Sequence, residues 1–143
     1  MADARFKISL RLRHPSMDPR EMSKAIGMDA KFQWRAGDRR MTPAGTLLEG
    51  HREHSYCCLN FPEDQQKSLS HVLGKHVSSL RKFKQFLDEF HASGGSAEFF
   101  IGWFVDRNSG DILDWSLLRE LADLHISLSF DIYGGEVGDA PTR

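Results

Sequence analysis

Between Glu98 and Gly135 two alternating apolar stretches flank one short amphipathic helix, and this order constrains the fold more than any other feature of the chain. Phe99, Ile101, Trp103 and Val105 alternate with Phe100, Gly102 and Phe104. Both sets are apolar, so a central strand covered on both faces is expected. The run Asp106-Arg107-Asn108-Ser109-Gly110-Asp111 is dense in turn formers. Asp114 then stands at an N-cap position, where its carboxylate can accept a free backbone N–H. Leu117, Leu118, Leu121 and Leu124 recur at helical spacing. Ile126, Leu128, Phe130 and Ile132 alternate with Ser127, Ser129, Asp131 and Tyr133, which predicts a half-exposed strand.

The same device opens the chain. Phe6, Ile8, Leu10 and Leu12 alternate with Lys7, Ser9, Arg11 and Arg13, a strand with one wet face. Asp18-Pro19-Arg20-Glu21 then reads as a capping box with proline at the first helical position. Met22, Ala25 and Ile26 form a short apolar face, and Gly27 stops the helix. Strand, turn, Asp cap and short helix thus occur at 6–27 and again at 99–124, which suggests a domain of two related halves. Ser55–Phe61 reads as a strand ended by Pro62. From Leu69 to Phe90 helical spacing persists, until Ser93-Gly94-Gly95 ends it. Residues 28–53 are irregular, with a short hairpin expected around Thr46–His51.

The expected order is β-α-β-α-β-α-β in a single domain over 1–143, with a core at about 5–134 and a polar, fraying tail at 135–143. The alternating strands favour an α+β fold: a four-stranded, mainly antiparallel or mixed sheet with about three helices on one face. No apolar run approaches the roughly 20 residues of a membrane helix. Charges interrupt the N-terminal stretch, so it does not read as a signal peptide and a cytoplasmic location is the default. Cys57 and Cys58 are adjacent in a strand, face opposite sides and are expected to be buried thiols.

The net charge of −1 argues against nucleic acid as a partner. Its distribution is uneven. Residues 1–55 hold 11 Lys and Arg against 7 Asp and Glu, whereas 56–143 hold 8 against 13. An acidic surface including Asp106, Asp111 and Asp123 could meet a basic protein partner, and an unpaired edge strand would allow a homodimer.

Catalytic patterns fail on their spacing. Asp106-x-Asn108-x-Gly110-Asp111 has its glycine one position early for a calcium loop, and Leu117 stands where the bidentate Glu belongs. His51 and His54 are three apart on a predicted strand, hence on opposite sides, and the seven histidines offer no metal-ligand set. Cys57 and Cys58 lack a helix N-terminus to activate them. No metal, cofactor or catalytic set is therefore expected. The basic loop is the strongest local candidate. Trp34, Arg35, Arg39 and Arg40 combine a stacking surface with bidentate donors suited to a carboxylate or phosphate, with Trp103 expected near the floor of such a site.

Several of these segments carry a resemblance. His14-Pro-Ser-Met-Asp-Pro19, Trp34-Arg-Ala-Gly-Asp38 with Thr42-Pro-x-Gly45, Phe99-Phe-x-Gly-Trp-Phe-x-Asp-x-Asn-Ser-Gly110 and Leu118-x-x-Leu-Ala-Asp-Leu-x-Ile-Ser-Leu-x-x-Asp-Ile-Tyr-Gly134 resemble the bacterial family known as domain of unknown function 4279. The resemblance runs from about Phe6 to Gly134 and implies a single-domain bacterial protein. It implies no activity or catalytic residue set. Two expectations follow. The first is a small interaction module of immunity type, acting through the acidic face. The alternative is a small-molecule or anion-binding protein, enzymatic or not, with its site between the 28–53 loop and the sheet.

Overall fold

The structure is a computed structural model and describes residues 4–64 and 67–134. Strand β1 (Ala4–His14) is the middle of a five-stranded sheet, and its alternation defines the two faces. Ile8, Leu10 and Leu12 project to one side and are buried. Lys7, Ser9, Arg11 and Arg13 project to the other. Strands β5 (Ser55–Asn60) and β6 (Ser96–Val105) flank β1, both antiparallel to it. Strand β2 (Phe32–Trp34) adds antiparallel outside β5, and β7 (Ile126–Gly134) runs parallel to β6 at the other edge. The order is β2-β5-β1-β6-β7, with a separate hairpin of β3 (Arg39–Met41) and β4 (Leu47–His51).

All helices cover the apolar face. Met22 and Ile26 of α1 (Pro19–Ile26), six residues of α2 (Leu69–Leu80), Leu87 and Phe90 of α3 (Lys84–Ala92), and Leu117 and Leu121 of α4 (Trp115–Asp123) are buried. All of them except His76 form one cluster with Leu10, Leu12, Leu59, Phe99 and Ile101 of the sheet. Each such large apolar side chain contributes about 1.5–3 kcal/mol by leaving water. At the C-terminal end of α3 the chain turns so tightly that a Cβ on Gly95 would lie 2.5 Å from the Phe90 ring. Only glycine fits there.

The α+β class and the mixed sheet match the sequence expectation, but the strand count does not. The sheet has five strands, and three of the seven strands among the described residues fall inside the stretch expected to be irregular, 28–53. The hairpin there pairs Met41 with Leu47 and Arg39 with His51. The long 69–90 helix is also broken, by a 3-10 turn at Arg81–Phe83 that separates α2 from α3. Both expected aspartate caps form. Asp18 accepts from the Arg20 N–H at 2.9 Å, and Asp114 from the Leu117 N–H at 2.9 Å. Asp18 departs from a capping box, because its second partner is the Arg20 guanidinium at 2.8 Å and not a reciprocal Glu21. That pairing holds the Asp18 carboxyl down at about 2. The halves then diverge. Strand β7 returns directly beside β6, whereas β5 separates β2 from β1.

Strand β6 differs from its expected environment. Helices cover Phe99 and Ile101, both fully buried. No secondary-structure element among the described residues covers Phe100 and Phe104; arginine side chains lie over them instead. The expected tail, 135–143, lies outside the described residues.

Candidate functional site

The uncovered face of the sheet is lined with aromatic rings and cations. Register places them. Trp34 is opposite Tyr56, and Tyr56 is opposite Arg13, so all three project from one face. Trp34 and Tyr56 stack at 4.5 Å between centroids, 26° from parallel. The Arg52 guanidinium lies 3.7 Å over the Trp34 ring, and Arg13 lies 5.1 Å over Tyr56. Burial pushes the Tyr56 hydroxyl up to about 12.

Beside this stack is a cavity of about 380 Å³ between the hairpin and the sheet. Arg13, Arg40 and Arg52 line it together with the Trp34 and Tyr56 rings. His51, His54 and Glu53 complete the wall. His51 ends β4 and His54 precedes β5, so the turn between the strands brings both onto one cavity. The strand-parity expectation for this pair fails because the two do not lie on one strand: β4 ends at His51 and β5 begins at Ser55. Among the described residues no group of three or more His, Cys, Asp or Glu is placed to hold a metal ion.

Two of the three arginines are held by backbone carbonyls and the third by a carboxylate. Arg40 donates to the Glu49 carbonyl at 3.1 Å and Arg52 to the Met41 carbonyl at 3.4 Å. Arg13 approaches Glu98 at 3.6 Å. A guanidinium has five N–H donors, so one such bond fixes its position and leaves others for an anion. A second cavity, of about 470 Å³, shares Trp34 and Arg52 with the first and is lined also by Phe32, Arg39, Met41 and Pro43.

Of the residues singled out by sequence, Trp34 and Arg40 line the first cavity and Arg39 the second. Arg39 also donates to the Leu48 carbonyl at 2.9 Å, which ties β3 to β4. Arg35 lines neither cavity and lies 3.7 Å from Asp18. Trp103 is on the helix-covered face, with Phe6 at 5.3 Å between ring centroids, so it does not floor the loop site. Its indole Nε1 is buried with no hydrogen-bond partner among the described residues.

The acidic residues do not form one patch. Asp111 accepts from the Ser70 N–H at 2.8 Å and the Ser70 hydroxyl at 3.1 Å, bracing the start of α2. Asp106 follows β6, beyond which Asp111 leads towards the start of α4. Asp123 is at the opposite end of α4, 3.9 Å from Lys84. Sequence reasoning missed Arg13, Arg52 and Tyr56. The signal for Arg13 was present, as the outward member of an alternating strand; Arg52 and Tyr56 needed the pairing of β2 with β5.

The model of the domain of unknown function DUF4279 matches residues 4–135. The chain belongs to that family. The comparisons with curated proteins and with solved structures found no match. No helix among the described residues is long and apolar enough to cross a membrane.

Proposed function

We propose that this DUF4279 member is a binding module for a small anion bearing a planar group, held between the β3–β4 hairpin and the uncovered face of the sheet. The observation that supports it is the convergence of Arg13, Arg40 and Arg52 on one cavity whose wall is the Trp34–Tyr56 stack. Guanidinium groups match phosphate and carboxylate oxygens in pairs, and the Arg52 guanidinium over Trp34 can itself stack on a flat ring. The alternative, an immunity-type module meeting a protein through its acidic residues, draws less support because Asp111 is engaged at α2 and Asp123 is remote from it.

Calorimetric titration with AMP and with inorganic phosphate tests the proposal. AMP, which offers both an anion and a plane, is expected to bind more tightly than phosphate. Arg52→Ala is expected to weaken AMP about tenfold, the equivalent of about 1.4 kcal/mol. Absence of AMP binding, or equal binding by wild type, Arg13→Ala and Arg52→Ala, would overturn it.

A further inference from the structure

The basic and aromatic surface does not stop at the loop cavity. It continues across β2 and β5 onto β1 and β6. A third cavity, of about 390 Å³, lies there, lined by Lys7, Arg11, Lys31, Phe32, Phe100 and Phe104. Three aromatic stations succeed one another along the face. The first is Trp34 with Tyr56. The second is Phe100, with the Arg11 guanidinium 3.6 Å over its ring. The third is Phe104, stacked on Tyr133 at 4.7 Å and approached by Arg5 at 4.8 Å and Lys7 at 5.9 Å.

Two features distinguish this surface from a generally solvated one. First, Arg11, Arg52 and Arg5 lie over rings at 3.6, 3.7 and 4.8 Å, and each guanidinium has five N–H donors, more than its contact to Ser9, Met41 or Glu63 uses. Second, the charges do not balance locally. Arg5, Lys7, Arg11, Arg13, Lys31, Arg40 and Arg52 share the face with Glu53 in the wall of the first cavity, Glu63 near Arg5, Glu98 near Arg13, and Asp131, which accepts from the Tyr133 hydroxyl. The chain's near-neutral total therefore conceals a basic face. From Arg5 to Arg13 the track runs about 26 Å, at the usual rise per strand residue.

We infer that the uncovered sheet face binds single-stranded nucleic acid, with phosphates on the basic side chains and bases lying on the cation-covered rings of the three stations. Alternating cations and rings suit a strand that alternates charge and flat rings. An acidic peptide offers charge without the rings, and a duplex keeps its base faces stacked inside. The inference rests on the small-anion reading for its first station only.

The test is fluorescence anisotropy with a labelled pyrimidine octanucleotide RNA. The full chain is expected to bind it more tightly than AMP, with affinity falling linearly in log salt by about 0.7 per phosphate engaged. Arg11→Ala is expected to weaken binding at least about fivefold, as loss of one stacking station does. Arg11→Lys keeps the charge and guards against a folding artefact; it should preserve the salt slope while losing affinity. Equal binding of the matching duplex or of an octaglutamate peptide, or no effect of Arg11→Ala, would overturn the inference. If AMP binds but the octanucleotide binds no tighter, the track fails and the loop site stands. If the octanucleotide binds and AMP does not, the track stands and the loop reading fails.

Discussion

Strand β6 presents phenylalanines to both faces of the sheet, and the two sides dispose of them differently. Phe99 is fully buried under helices, with the Phe61 ring 5.8 Å away edge-on. Phe100, one residue later, is half-buried, and what lies over it is Arg11. The amino acid is the same and the strand is the same. One ring leaves water by joining a close-packed core, the other by accepting a cation that itself stays wet. The first arrangement serves stability and tolerates little change. The second leaves flat, charged surface available to a ligand.

The widest separation between the faces is expected in the two phenylalanine truncations. Phe99→Ala should cost about 3–5 kcal/mol, as removal of a buried aromatic does when the cavity cannot collapse. Phe100→Ala should cost about 1 kcal/mol, on the scale of an exposed cation–π contact. Urea denaturation of both variants measures this. Equal losses would mean that the open face is as tightly packed as the core, and the distinction would fall.

The second separation is in pH. His76 is on the helix side, its ring stacked on Phe61 at 3.9 Å, and its Nε2 has no hydrogen-bond partner among the described residues. Burial lowers its pKa to about 4; Lys75 acts in the same sense and Asp64 opposes. The unfolded chain takes up this proton near pH 6.5, the folded chain only near 4. Stability is therefore fully present above 6.5 and falls as pH drops towards 4, by about 1.4 kcal/mol per pH unit from this group. His14 adds in the same direction, because burial lowers it too. Its Nδ1 accepts from the Ser16 and Met17 N–H groups at 3.1 and 3.0 Å, an arrangement that requires the neutral ring. Denaturation midpoints measured across this window should slope in the wild type and flatten in His76→Leu. Arg11→Ala, on the open face, should leave the slope as it is.

Local chemistry was legible in the sequence wherever a residue's partner is near in the chain. The caps at Asp18 and Asp114, the alternation of β1, and the opposite placement of Cys57 and Cys58 all depend on neighbours within a few positions. The placement of Phe100 was not legible, because alternation shows that a residue has a face but not what covers it. The three-residue β2 carries no period of its own and exists through pairing with β5, over twenty residues away in sequence. The cavity followed the same rule: Trp34 and Arg40 stood out in a basic loop, but Arg52 and Tyr56 join them only through that pairing. Asp111 looked like surface charge because its partner, Ser70, is 41 residues distant.

The smallest effect concerns how well side chains alone can seal the open face. Tyr56 projects from that face, yet burial is the main reason its hydroxyl titrates near 12; Cys58 acts in the same sense, while Arg11 and Arg13 pull it down. The ring is covered by Trp34 at 4.5 Å. If Trp34 is the cover, Trp34→Ala should let water reach the phenol and move its titration towards 10. Tyr133 is the other tyrosine, itself raised by its hydrogen bond to Asp131, so the comparison is made in a Tyr133→Phe background. Phenolate absorbance then reports Tyr56 alone. The linkage runs opposite to that of His76. A raised tyrosine stabilises the fold below pH 10, and that contribution is lost as pH climbs from 10 to 12. An unchanged titration in Trp34→Ala would place the seal elsewhere than in the indole. The Trp34–Tyr56 stack would then be a surface contact and not a wall, and the first station of the track would lose its rigid platform.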